Sequence, residues 1–196
     1  PFSTGNHAIV ALATPGAARK GRREAVMAFI QGTIPFKIEA HKTYNIDFPI
    51  GPGRINNKDD VALVQKLLRY IYVETDHARN KGFAVPRGTP DIGVDGKFGP
   101  TTSKYILHFK QHARALGFSV FFDAVILPFG PDEFQKSAVT KTTFTMRLLL
   151  TSAQNADDEA QGRKLDRLAF DPGTPAELRD SLQVIKPQAD GFVEGT

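Results

Sequence analysis

The feature that most constrains the fold is an alternation of apolar and polar residues over positions 34–50. Every even position except Lys42 is apolar, namely Ile34, Phe36, Ile38, Ala40, Tyr44, Ile46, Phe48 and Ile50. A period of two is typical of a β-strand with one buried face. A single strand of this length would span on the order of 55 Å at about 3.3 Å per residue, too long for a compact domain. The pattern therefore predicts a hairpin with a loop at 41–43, which pairs residue 40 with residue 44 and keeps the apolar residues on one face.

The composition excludes several classes of protein. Of the 196 residues, 41% are apolar and 23% are charged, as is typical of globular proteins. The chain contains no cysteine, which excludes disulfides and thiol nucleophiles. No apolar run approaches the ~20 residues of a membrane helix, so no membrane span is predicted. The net charge of +4 favours weak attraction to polyanions, but the basic cluster at 19–23 has no interleaved aromatic residue, so nucleic acid is not a predicted partner.

Helical patterns follow the break "GPGR" at 51–54. Asn57 is the predicted N-cap of a first helix, with two acidic residues in its first turn. The predicted buried stripe of this helix is Val61, Val64, Leu67, Leu68 and Ile71. A second helix is predicted to begin at Gly99-Pro100 and to stop at Gly117. Its predicted buried stripe is Thr102, Ile106, Phe109, Ala113 and Leu116.

Weaker patterns complete the assignment. A strand is predicted at 7–13, a helix at 22–31, and a buried strand or turn pair at 118–129. A third long helix is predicted at about 140–153, burying Val139, Met146, Leu149 and Leu150. A short helix at 175–183 is predicted to be capped by Thr174, with Pro175 at its first position. The fold class is therefore α+β, in three parts: a β-rich N-terminal extension (1–55), a helical domain (56–153) and a polar C-terminal extension with one short helix (154–196).

The spacing of the central motif resembles that of the small three-helix peptidoglycan-binding module. The matching residues are Val61, Val64, Gln65, Leu68, Val94, Asp95, Gly96, Phe98, Gly99, Pro100, Thr102, Ile106 and Phe109. "FDAVILP" at 122–128 is similar to the second, weaker element that precedes the third helix of that family. The resemblance covers about residues 57–151. The chain departs from the family at Phe109-Lys110, where Phe-Gln is usual, and at Asp123-Ala124, where Asp-Gly is usual.

The resemblance implies a three-helix peptidoglycan-binding-like core and a non-catalytic module that binds peptidoglycan or another wall polymer. The implied site is a groove between the first two helices and the loop at 75–98. Exposed side chains there supply hydrogen bonds and aromatic surface to sugars and stem peptides, and the candidate contacts are Tyr72, Lys97, Lys104 and Tyr105. The motif itself also has a structural interpretation, in which Asp95-Gly96 forms a turn with positive φ, Phe98 packs under the helix start and Thr102 faces inward.

No catalytic, metal or cofactor site is predicted. His108 and His112 have the i, i+4 spacing of metal ligands, but the helical stripe places both on an exposed polar face beside basic residues. The acidic run at 157–159 is interpreted as a solvated face after the third helix, and no carboxylate pair suits a glycosidase. An enzyme is therefore not predicted.

A second function stays open beside wall binding. The chain could be a structural or connector protein of a phage tail or contractile injection particle that reuses this fold. The predicted hairpin and both extensions exceed what a simple wall binder needs, and a hairpin with one apolar face needs a covering surface. The first residues also lack the order of a secretory signal. The expected location is the bacterial cell envelope or such a particle, with protein partners in the second case.

Overall fold

The computed structural model of the chain describes residues 29–36, 39–75, 78, 84–130, 142–160 and 164–183. Within these ranges the chain is mostly helical with one small sheet, an α+β arrangement. Its strands and helices are β1 (Phe29–Phe36), β2 (Glu39–Asn45), α1 (Lys58–Arg69), α2 (Pro100–Ala115), α3 (Thr145–Glu159) and α4 (Ala176–Ser181). A π-helical turn (Tyr70–Glu74) continues α1, and a 3-10 turn (Leu165–Phe170) follows α3. The strand predicted at 7–13 lies outside the described residues.

The hairpin is present, but its predicted register is wrong. β1 and β2 are antiparallel and pair Phe36 with Glu39, so residues 41–43 lie inside β2 and form no loop. β1 begins at Phe29, so the end of the helix predicted at 22–31 is a strand. A bulge between Ile30 and Gly32 shifts the register by one residue and pairs Ile30 with Tyr44. Between Phe36 and the bulge, even-numbered residues of β1 pair with odd-numbered residues of β2, and beyond the bulge even-numbered Ile30 pairs with even-numbered Tyr44.

Residues that are distant in the sequence bind β2 through hydrogen bonds. The Lys42 N–H donates to the Asp166 carboxylate at 2.9 Å, and the Gln154 side chain donates to the Lys42 carbonyl at 3.3 Å. The hydroxyl of Tyr44, which is fully buried, donates to the Leu165 carbonyl at 2.5 Å. These partners lie on α3 and the 3-10 turn, more than 100 residues along the chain. Local alternation carries no information about them, which is why it misplaced the turn.

The first two long helices begin where the sequence predicts. The Asn57 side chain accepts the N–H of Asp59, and the predicted stripe of α1 is buried throughout. α2 begins at Pro100, and its predicted stripe is buried as far as Ala113. Leu116 was wrongly predicted to be buried and is 59% exposed. The reason is that α2 ends at Ala115, and Gly117, with φ +88°, turns the chain away.

The remaining helices differ more from the prediction. α3 runs to Glu159, six residues beyond the predicted end, so the acidic run lies on the helix and Asp157 is buried, not solvated. Val139 lies outside the described residues. Thr174 does not cap α4, since its hydroxyl has no partner within the described ranges. Residues 118–129 form no buried strand: three phenylalanines there are exposed, and a single bridge joins Ile126 to Ile50.

One hydrophobic core lies among these elements. α1 is central to it and contacts α2, α3 and α4. Tyr44, Ile46 and Ile50 enter this core from the predicted N-terminal part. Leu165 and the α4 residue Leu178 enter it from the predicted C-terminal part. The three predicted parts therefore do not form separate cores in the region that the structure describes, where no helix is long and apolar enough to span a membrane.

Candidate functional site

A groove of about 530 Å³ lies between α1, the loop that precedes α2 and the first turn of α2. It is lined by Gln65 of α1, residues 90–93, Asp95 and Lys97 of the next turn, and Gly99 to Thr102. Lys97 is exposed at its rim. The Arg69 side chain donates to the Ile92 carbonyl at 2.8 Å, which holds the loop wall against α1. Of the four predicted contact residues, Lys97 is the one that lines this groove.

The Gln65 side chain organises the turn that forms the groove. Its Oε1 accepts the N–H of Asp95 at 3.1 Å and of Gly96 at 2.9 Å. Its Nε2 contacts the Asp95 carboxylate, the Lys97 carbonyl and the Thr102 hydroxyl at 2.9–3.0 Å. We call this arrangement the glutamine clamp. It fixes the loop to both helices at once, because each hydrogen bond that a buried amide makes offsets its desolvation.

The motif residues take the structural roles predicted for them. Gly96 has φ +69°, and a Cβ there would meet the Lys58 carbonyl oxygen at 2.7 Å, so glycine is required twice over. Phe98 packs against the core and Thr102 is buried. Hydrogen bonds from the Lys97 N–H and from Gln65 lower the pKa of Asp95, although partial burial opposes them. Asp95 is therefore an ionised structural group, and a poor general acid.

Two of the four predicted contact residues are not exposed. Lys97 lines the groove, and Lys104 is exposed on α2 but does not line it. Tyr72 and Tyr105 were predicted to be exposed, and both are buried. Their rings pack edge to face with centroids 5.9 Å apart, and the Tyr105 hydroxyl points toward the Pro90 carbonyl at 3.4 Å. The loop over α2 covers this face, so neither ring offers a stacking surface to a sugar.

The histidine pair was also predicted to be exposed and is half-buried. His108 Nε2 donates to the Ala84 carbonyl at 2.6 Å, and His112 Nδ1 lies 2.7 Å from the Tyr72 hydroxyl. Burial, with the nearby His108, lowers the pKa of His112 to about 4, so this ring is neutral at pH 7. Within the described ranges, no three side chains of metal-binding type come together.

Lys110 makes a second clamp of the same design. Its Nζ donates to the Asp123 carboxylate and to the Val125 carbonyl, both at 2.6 Å. Asp123 also accepts the N–H of the residue two positions on, Val125, at 3.2 Å. The glutamine clamp repeats this pattern, since Asp95 accepts the Lys97 N–H and Gln65 contacts both the carboxylate and the Lys97 carbonyl. The buried Lys110 ammonium thus fixes the turn at Asp123–Val125, as the Gln65 amide fixes the turn at Asp95–Lys97.

Sequence reasoning noted Lys110 as a departure but not its role. Its position, four residues after Ile106 and next to Phe109, lies on the buried side of α2, and this signal could have identified it. The turn that it holds does not require glycine at position 124. Among the described residues, the non-glycine residue with positive φ is Asn56, so the φ of Ala124 is negative. The second departure from the family motif therefore has an ordinary backbone.

Comparison with known proteins gives no relative: no family model, no curated protein and no solved structure matches the chain.

Proposed function

We propose that the chain is a non-catalytic module with a three-helix peptidoglycan-binding-like core that binds peptidoglycan through the groove between α1 and α2. The observation that carries the proposal is the glutamine clamp, which fixes the Asp95–Lys97 turn of the central motif as one wall of a groove. A rigid, partly polar groove is the kind of site that holds a polymer segment with little loss of entropy.

The chemistry of the groove suits this ligand. Lys97, Asp91 and Thr101 are among the residues that line it. Peptidoglycan offers sugar hydroxyls and amides for hydrogen bonds and carboxylates for the ammonium. Asp95 is held ionised by its hydrogen bonds, which favours binding over hydrolysis, since a glycosidase needs a carboxyl that stays protonated.

Co-sedimentation with insoluble peptidoglycan sacculi tests the proposal. The matched variants are Lys97→Ala, which removes an exposed lysine that lines the groove, and Lys104→Ala, which removes an exposed lysine that does not. We expect saturable binding that survives moderate salt, weakens several-fold in Lys97→Ala and is unchanged in Lys104→Ala. Absence of sedimentation, or equal loss in both variants, would refute binding through the groove. Release of soluble fragments from the sacculi would refute a non-catalytic role.

A second candidate function is a structural or connector role in a phage tail or contractile injection particle. The observation that favours it is the exposure of Phe118, Phe121 and Phe122 within five residues. Clusters of exposed aromatic side chains mark protein contacts more often than chance. The Arg114 guanidinium lies 5.6 Å from the Phe122 ring centroid, an arginine–aromatic pair of the type enriched at interfaces.

Sedimentation velocity separates this candidate from the first. A connector forms rings or stacks whose size depends on concentration, whereas a wall-binding module is expected to sediment as a monomer. Phe122→Ser, which leaves the buried core intact, is expected to dissolve such assemblies. A monomer at all concentrations would leave the wall-binding proposal in place and remove self-assembly from the second.

A further inference from the structure

A second pocket, of about 710 Å³, lies at the N-terminus of α3 and shares no lining residue with the groove. Arg54, Lys110 and Asp123 line it, together with Thr142 and Thr143 before α3 and Thr145 at its start. The apolar part of the lining includes Phe121 and Leu127, which are 59% and 46% exposed. The pocket therefore joins cationic and hydroxyl groups to an apolar surface.

The helix that opens into this pocket has no cap. α3 is 15 residues long, Phe144 precedes it without a side-chain hydrogen bond, and its first turn contains no acidic residue. The first backbone N–H groups of such a helix have no intrahelical acceptor. With the helix dipole they form a partial positive charge that attracts anions.

Buried side chains at the same place lack acceptors or donors. Thr145 lines the pocket and is 9% exposed, yet its hydroxyl makes no hydrogen bond with any described residue. Thr143 also lines the pocket, and its buried Oγ1 is without a partner there. Arg147, in the same first turn, does not line the pocket, and its guanidinium lies 5.9 Å from the Phe129 ring centroid. Buried polar groups of this kind are rarely left unpaired.

The local charge is positive. Lys110 and Asp123 neutralise each other in an ion pair of 2.6 Å. Arg54 is exposed at the rim, and its charge is one of the groups that lower the pKa of Asp123, against the opposing effect of burial. Among the described residues that line the pocket, two cations, Arg54 and Lys110, therefore face one carboxylate, Asp123, beside the positive end of α3.

We infer that this pocket binds a phosphate monoester with an apolar organic group. The phosphate oxygens accept the first-turn N–H groups of α3 and the hydroxyls of Thr143 and Thr145, while Arg54 supplies charge from the rim. The organic group lies on Phe121 and Leu127. A phosphate suits this donor set better than a carboxylate, because it presents three terminal oxygens to donors that surround it. The inference is independent of wall binding, since no element of the groove takes part.

The test is a titration of the full chain with phenyl phosphate, followed by amide NMR shifts and by calorimetry. We expect a one-site isotherm with the largest shifts at the amides of Thr145 to Arg147. Inorganic phosphate is expected to bind at the same amides at least tenfold more weakly, because it lacks the ring. Phenylacetate is expected to bind at least threefold more weakly than phenyl phosphate, and benzyl alcohol not to bind.

Two substitutions locate the site, and a third is their control. Arg54→Gln and Thr145→Val are each expected to weaken binding at least fivefold with an otherwise unchanged spectrum. Arg87→Gln, which removes an exposed arginine outside the pocket, is expected to have no effect. Shifts that spread over the surface and vanish with salt, equal binding in all three variants, or binding of benzyl alcohol as tight as that of phenyl phosphate would each overturn the inference.

Discussion

The Tyr70 hydroxyl donates a 2.6 Å hydrogen bond to Oδ1 of Asp157, and both residues are buried. The same carboxylate accepts the backbone N–H of Lys164 at 2.8 Å and of Leu165 at 3.0 Å. The Asp157 side chain thus joins the π-helical turn after α1, the last turn of α3 and the start of the 3-10 turn.

Removal of this carboxylate is expected to cost more than removal of the hydroxyl. Tyr70→Phe deletes one of three donors and should lower the free energy of unfolding by about 1 kcal/mol. Asp157→Ala leaves three donors without an acceptor and should lower it by about 3 kcal/mol or more. Urea denaturation measures both. Equal losses in the two variants would mean that the backbone bonds of Asp157 contribute nothing.

The glutamine clamp should contribute both to stability and to the order of the groove. Gln65→Leu keeps the side-chain bulk but leaves the N–H groups of Asp95 and Gly96 unpaired, so we expect a loss of about 2–3 kcal/mol. Amide exchange at residues 95–97 should accelerate more than elsewhere. Gln111→Leu, on the exposed face of α2, is the matched control and should change stability by less than about 0.5 kcal/mol. Similar losses in both would contradict the role of the clamp.

Two glycines with almost the same φ separate backbone strain from steric contact. Gly53 has φ +68°, and a Cβ added to it would have nothing within 4 Å, whereas Gly96 has φ +69° and its Cβ would meet the Lys58 carbonyl oxygen at 2.7 Å. Gly53→Ala should therefore cost about 1 kcal/mol, for left-handed backbone alone. Gly96→Ala should cost about 1–3 kcal/mol more, for the contact. Chemical denaturation of the pair gives the difference, and identical costs would show that the Lys58 backbone yields freely.

Asp60 should make the protein less stable as the pH rises. Both of its oxygens accept backbone N–H groups, from Asp47 and Phe48 at 3.0 Å. Burial nevertheless dominates and raises the pKa of Asp60 from 3.8 to about 6. Between these values the folded chain holds a proton that the unfolded chain has lost, so stability falls with rising pH, by about 3 kcal/mol in total from this group.

A carboxyl NMR titration measures this directly, with Asp95 as the internal comparison. Asp60 should titrate near pH 6, and Asp95 below the ordinary range, because hydrogen bonds lower its pKa. Unfolding by urea at pH 4 and pH 7 measures the consequence for stability, and Asp60→Asn should flatten this dependence. A midpoint for Asp60 at or below 4 would show that the two hydrogen bonds outweigh burial.

Features with a local cause could be read from the sequence. The Asn57 cap, the Pro100 start and the Gly117 stop each depend on residues within one turn of the chain, and all three are where the sequence predicts. Lys97 was placed correctly because its motif fixes its own turn. The register of β2 could not be read, because Asp166 and Leu165, which hold it, lie about 120 residues away.

Exposure was the least predictable property of the site. Tyr105 lies beside the buried stripe of α2, and only the path of the loop at 84–92 decides that it is covered. Lys110 lies on the buried side of α2, as helical periodicity indicates, but periodicity does not show the Asp123 carboxylate that pairs with its charge. Helical periodicity shows which face of α2 packs against α1, but it does not show which further residues the loop at 84–92 covers.

The paired backbone bonds between Ile50 and Ile126, both 3.0 Å, place residues 45–50 alongside residues 126–129, and the Asn45 side chain adds a bond to the Phe129 carbonyl at 2.7 Å. A fragment of residues 57–151 would lack residues 45–50, so Ile126 and Phe129 would be exposed to water where those residues now pack. Residues 57–151, which carry the resemblance, thus share one hydrophobic core with residues outside that range. Transfer of this stretch alone into another protein would keep the motif but lose the residues that pack against it.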